Sequence, residues 1–140
     1  MEKIILPHAD LYFIDDFILK IDMKDHEEID LEQMKIFVAA IQKLAGEKPY
    51  CTLADLRGTT GTTNNEARQY AADHSHLPNK LADAIIFNSL AKKLMANFYI
   101  QFNKPKSPTR TFNSEEAALK WLRNVRKSPQ NKANTLHKER

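Results

Sequence analysis

A chain of 140 residues is long enough for one domain with its own core and too short for two of ordinary size. Its 42% apolar and 28% charged residues are ordinary for a globular protein; no apolar run nears the ~18 residues of a membrane span, and Ile4-Ile5-Leu6 before Pro7 is too short for a signal peptide, so a cytoplasmic location is expected. A single cysteine, Cys51, excludes an internal disulfide and any zinc site built from cysteines.

The net charge of +3 is uneven. Six of the 21 basic residues but one of the 18 acids lie from Arg123 onward, leaving 15 against 17 before it. The body is thus mildly acidic, and the basic excess belongs to a polar tail over residues 127–140, expected to be disordered. Its charges are sparse rather than clustered, which argues against nucleic acid as a partner and favours a solvated end; peripheral membrane contact stays open.

In chain order, Leu11-Tyr12-Phe13-Ile14 and Phe17 to Met23 flank Asp15-Asp16 and predict an antiparallel hairpin. Phe17, Leu19, Ile21 and Met23 alternate with Ile18, Lys20 and Asp22, the two-residue period of a strand with one buried face. Asp30, with Gln33 three residues on, predicts a capped helix start. Met34, Phe37, Val38, Ile41 and Leu44 supply its apolar stripe, and Gly46 ends it. Tyr50 to Ala54 is a strand ending in Asp55, and Thr63 with Glu66 predicts the cap of a helix whose inner stripe is Ala67, Tyr70 and Ala71.

The run Ala84 to Phe87 is expected to form a buried parallel strand. A long helix capped by Asn88 or Ser89 follows, running to about Phe102, and then an edge strand from Thr109 to Phe112. Asn113 is the expected cap of a last helix facing the core with Ala118, Trp121, Leu122 and Val125. Strands alternating with helices define an α/β fold: one domain over residues 1–126, with a mostly parallel sheet of about five strands, an N-terminal antiparallel hairpin and about four helices.

Several stretches carry a resemblance to a known family. They are Leu53-Ala54-Asp55-Leu56-Arg57-Gly58 with Glu66-Ala67-Arg68, Ala82 to Ile86 with Asn88-Ser89-Leu90, and Asn97-Phe98 with Asn103-Lys104-Pro105. Pro108-Thr109-Arg110 and Ser114 to Leu122 complete the set. Through them residues 10–125 resemble the STAS domains, in particular small bacterial STAS-like proteins related in fold to CRAL-TRIO lipid-transfer domains. The resemblance implies a non-catalytic regulatory or protein-interaction module; the CRAL-TRIO relation implies instead a binder of a small apolar or lipid-like ligand. Anti-sigma-factor antagonists carry an Asp-Ser pair after the third strand, with the serine phosphorylated. Here Asp55 is followed by no serine, so that role is carried over to no residue.

The stretch Arg57-Gly58-Thr59-Thr60-Gly61-Thr62-Thr63 is the candidate anion or ligand site: it joins a strand to a helix start and combines a fixed cation, four hydroxyls and two glycines. It lacks the Gly-Lys-Ser/Thr of a phosphate loop, and turn and cap requirements account for each residue as well. His74 and His76 do not share a helix face, so no metal site is expected, and no catalytic set or cofactor motif stands out. The helix from Asn88 to Phe102 carries an apolar surface about half its circumference wide. Met95, Tyr99 and Ile100 on it are the candidate contact with a protein partner or with a second copy in a homodimer.

Overall fold

The computed structural model describes residues 2–127. Six strands form one mixed sheet in the order β1-β2-β3-β4-β5-β6: β1 Lys3–Ile5, β2 Ala9–Phe13, β3 Ile18–Met23, β4 Tyr50–Asp55, β5 Lys80–Ile86 and β6 Thr109–Phe112. β1, β2 and β3 pair antiparallel, and β3 to β6 pair parallel. The four helices are α1 Leu31–Ala45, α2 Asn65–Ala72, α3 Leu90–Phe98 and α4 Glu115–Lys127. Crossovers of one hand, stepping one strand at a time in one direction, place α1, α2 and α3 on the same face. α4 follows the last strand and covers the other face.

The α/β class, the N-terminal hairpin and the four helices agree with the sequence reading, and the structure adds β1. That strand is three residues long with Ile5 exposed, too short to show a period; it is held by the pairing of Leu6 N–H with Ala9 C=O across the turn. In the β2–β3 connection, the Asp15 carboxylate accepts from Phe17 N–H (2.8 Å) and Ile18 N–H (2.7 Å), which makes an acidic turn workable without glycine.

β3 departs from the expected one-sided pattern. Leu19 and Ile21 face α1, whereas Ile18 and Lys20 are buried on the other side of the sheet, and Phe17 precedes the strand and packs with Ile18 against α4. A central strand covered by helices on both faces has no solvent side. β5 begins four residues earlier than predicted, because Lys80 and Asp83 pair within the strand and hide its polar start.

The helix caps are set locally. Asp30 and Gln33 form the complete capping box of α1, and Gly46 closes that helix at φ +60°. The cap of α2 is Asn64 rather than Thr63, its side chain accepting from Ala67 N–H at 2.9 Å. Ser114, not Asn113, accepts from Ala117 N–H at the start of α4. α3 stops at Phe98 and widens into a π-helical turn over Tyr99–Asn103, ending at Lys104 with φ +49°.

Two cores result. Under α1, Leu11, Phe13, Leu19 and Ile21 interdigitate with Met34, Val38 and Ile41. Under α4, Ile18, Leu53 and Ile86 meet Trp121, Leu122 and Val125. Phe37, expected in the core, is only half-buried because it sits where the first core opens into a cavity. Cys51 is fully buried on β4, and burial pushes its thiol far above the ordinary range, so it packs as a small apolar side chain. No helix among the described residues is long and apolar enough to cross a membrane. The basic tail lies outside them, apart from Lys127 at the end of α4.

Candidate functional site

The sheet carries large side chains under α1 and small ones beyond it. On the α1–α3 face, β4 presents Thr52 and Ala54, β5 presents Asp83 and Ile85, and β6 presents Thr109. Above them, α2 contributes Ala71, and α3 fully buries only Ala96. Thr52, Ala54, Ala71 and Ala96 are too small to span the ~10 Å between packed layers. The space is left as a cavity of about 530 Å³ between the sheet, α1, α2 and α3.

Its walls are mostly aliphatic and aromatic. Ile21 and Met23 of β3, Met34, Phe37, Val38 and Ile41 of α1, Leu77, and Met95, Phe98 and Tyr99 at the α3 end enclose it. Two polar groups of opposite character interrupt this lining. On the floor, Asp83 accepts from the Thr52 hydroxyl and pairs with Lys80 at 3.0 Å, so its charge is met locally. Burial raises the Tyr99 hydroxyl well above its usual range, and the nearby Asp83 charge adds to the effect.

The second group comprises Arg68 and Lys92. Arg68 lies over the Phe98 ring, 5.3 Å from its centroid, and donates one guanidinium N–H to Thr63 C=O; its Nε is buried without a partner among the described residues. Lys92 Nζ donates to Arg57 C=O (3.1 Å) and to the Asn88 side-chain oxygen (3.0 Å), both neutral. Neither cation has a carboxylate within ion-pair reach among the described residues.

The stretch Arg57 to Thr63 meets this cavity in part. Thr59, Gly61, Thr62 and Thr63 line it beside His26, and a Cβ at Gly61 would overlap the His26 ring, so only glycine allows that approach. Arg57 is turned away: its Nε and Nη2 donate to Asp55 at 2.9 and 2.8 Å. Backbone donors in the loop are engaged as well, Thr60 N–H by Asp25 (2.8 Å) and Gly61 N–H by the Thr59 hydroxyl (3.0 Å). Gly58 stands against the backbone carbonyl of Met23.

Of the candidate contact residues, Met95 is exposed, Tyr99 turns into the cavity and Ile100 is half-buried. His74 and His76 go separate ways: the first lies 3.4 Å from the Ser107 hydroxyl, and the second stacks on Tyr70 at 3.8 Å. Arg68 and Lys92 were missed as site residues. Each reads in sequence as an ordinary helical cation, and only the crossover order of the sheet brings α2 and α3 together over one floor.

This arrangement, a mixed sheet with three crossover helices on one face and a terminal helix on the other, is a SpoIIAA-like, and so STAS-like, fold. The chain is similar to an uncharacterised protein of the DUF3478 family with a SpoIIAA-like fold from Shewanella loihica PV-4, with a TM-score of 0.57 and 19% identity over 81% of this chain and 91% of that one. Residues 12–126 match the family described as a domain of unknown function, DUF7793, and the chain belongs to that family. No curated protein matches it. The STAS-like resemblance read from the sequence is borne out as a fold.

Proposed function

We propose that this protein is a non-catalytic binder of a single-chain amphiphile, with the apolar tail in the cavity and an anionic head against Arg68 and Lys92. One observation carries the reading: a largely apolar cavity of about 530 Å³ whose wall holds two cations unmatched by any described carboxylate. That volume falls within the ~300–1,000 Å³ of small-molecule sites, while close-packed interiors hold few voids larger than a water. The buried, unpartnered Nε of Arg68 also asks for an acceptor, which a carboxylate head supplies.

The test is thermal unfolding with a C12–C16 fatty carboxylate against the alcohol of equal chain length, alongside native mass spectrometry of the purified protein. At a hundredfold excess over Kd the bound carboxylate stabilises by about 2.7 kcal/mol, and the alcohol does less. Arg68→Gln and Lys92→Gln should each weaken carboxylate binding about tenfold while leaving the alcohol unchanged. Equal binding of both ligands rejects the anionic head. Binding of neither, with no retained mass, rejects the reading as a whole.

A further inference from the structure

We propose that the exposed apolar residues of α3 and the turn after it, among them Leu94 and Phe98 that also border the cavity, dock on an anionic lipid surface. Surface helices ordinarily turn their apolar side inward. α3 keeps much of its apolar side outside. Its one fully buried residue is Ala96, and at about 100° per residue Leu90, Leu94 and Phe98 centre nearly opposite it, with Leu94 and Phe98 also bordering the cavity. Leu90 is 71% exposed, Leu94 59%, and Phe102 on the following turn 63%. Water gains nothing from such a face, and a continuous apolar strip of this kind marks a contact surface.

Charge selects the partner. Between Leu90 and Lys106 there are four lysines and no carboxylate, in a body that is otherwise mildly acidic. Lys93, Lys104 and Lys106 are exposed around the apolar strip. An apolar face edged by lysines is the composition of a helix lying in the interface of an anionic bilayer. A second copy would fit it less well. A two-fold contact apposes the same patch on both subunits, setting lysine against lysine with no acid on that face to offset them.

The test is sedimentation of the full chain with phosphatidylcholine vesicles, with and without phosphatidylserine. Binding is expected only with phosphatidylserine, and it should fall in high salt. Leu90→Asp with Phe102→Asp should abolish it at an unchanged melting temperature, both side chains being exposed. Lys93→Gln with Lys104→Gln should lower partitioning about 30-fold. Ile36→Asp, a control at an exposed apolar residue on α1, should bind as the unaltered protein does. No binding to phosphatidylserine vesicles overturns the proposal. Binding undiminished in both double variants overturns it too and moves the contact elsewhere, the basic tail first. A dimer that dissociates in Leu90→Asp with Phe102→Asp assigns the face to a second copy instead.

Discussion

Lys20 is 9% exposed on β3, an unusual position for a lysine, and three carboxylates account for it. Its Nζ lies 3.1 Å from Asp22, 2.9 Å from Glu115 and 3.8 Å from Asp55, so one cation ties β3, β4 and the first turn of α4 together. Burial by itself would lower the Lys20 pKa; hydrogen bonds and charges from Glu115 and Asp22 outweigh that and push it up to about 12. Burial would likewise raise the Asp55 pKa, but the Arg57 hydrogen bonds and the charges of Arg57 and Lys20 hold it below the usual carboxylate range. The Lys20 contribution to stability is therefore complete below its ordinary pKa of 10.5 and is lost as pH rises toward 12. The Asp55 contribution is present above 3.8 and is lost as pH falls through its lower folded value. Lys20→Met leaves three carboxylates facing Arg57 alone, at a cost of about 2 kcal/mol, less than for a fully buried pair because Asp22 and Glu115 reach solvent. Mild acid should then narrow the gap between variant and parent, since protonation relieves the repulsion. Urea midpoints measured between pH 7 and 4 check this; a gap that stays constant would mean the carboxylates do not sense Lys20.

Among the elements, α1, α3 and α4 all start on local caps, Ser89 accepting from Lys92 N–H at the head of α3, but only α1 and α4 lay a buried stripe on the sheet. Asp30→Ala removes one half of a complete capping box and should cost about 1 kcal/mol, read as a shift in urea midpoint. Leu122→Ala, at a fully buried site between β4, β5 and α4, should cost ~2–5 kcal/mol, and Trp121→Ala ~3–5 kcal/mol. Phe37→Ala should cost clearly less than either, because half of that ring already faces an open cavity. A Phe37→Ala loss equal to that of Trp121→Ala would mean the cavity closes on that side. The same contrast explains what could be read from the chain. The capping box of α1 and the apolar stripes of α1 and α4 are set within a few residues, so spacing reveals them, although the cap of α4 falls one residue later than read, on Ser114. The start of β5 is polar because Lys80 and Asp83 satisfy each other, a pairing that depends on the strand already being formed. The width of the α3 apolar surface was legible. Which side of it faces outward is decided by the small residues of β4 and β5 beneath it, far away in sequence.

At the scale of the whole molecule, the two faces of the sheet are filled differently, and the difference is measurable. The α4 face is packed by Leu53, Ile86, Trp121 and Leu122, whereas the opposite face ends on Thr52, Ala54 and Ile85 at the cavity below α3. Ala54 lies at mid-floor on β4, between Ile21 of β3 and Ile85 of β5, with its Cβ directed into the cavity. Ala54→Leu adds three carbon atoms where there is room for them. Each buried methylene is worth ~0.8 kcal/mol by transfer, and the added side chain loses some rotamer freedom, so a net gain of about 1 kcal/mol is expected. In a chain of this length that raises the melting temperature by about 3–5 °C. The larger side chain also occupies the space assigned to the amphiphile tail, so the thermal shift produced by a fatty carboxylate should shrink or vanish in the same variant. The mirror substitution, Ala84→Leu on the closely packed α4 face, should instead lower stability by ~1–3 kcal/mol through overpacking. Calorimetry of the two variants side by side reads both signs. Destabilisation by Ala54→Leu comparable with that by Ala84→Leu would show that α3 settles onto the sheet in solution and that no lasting space exists beneath it.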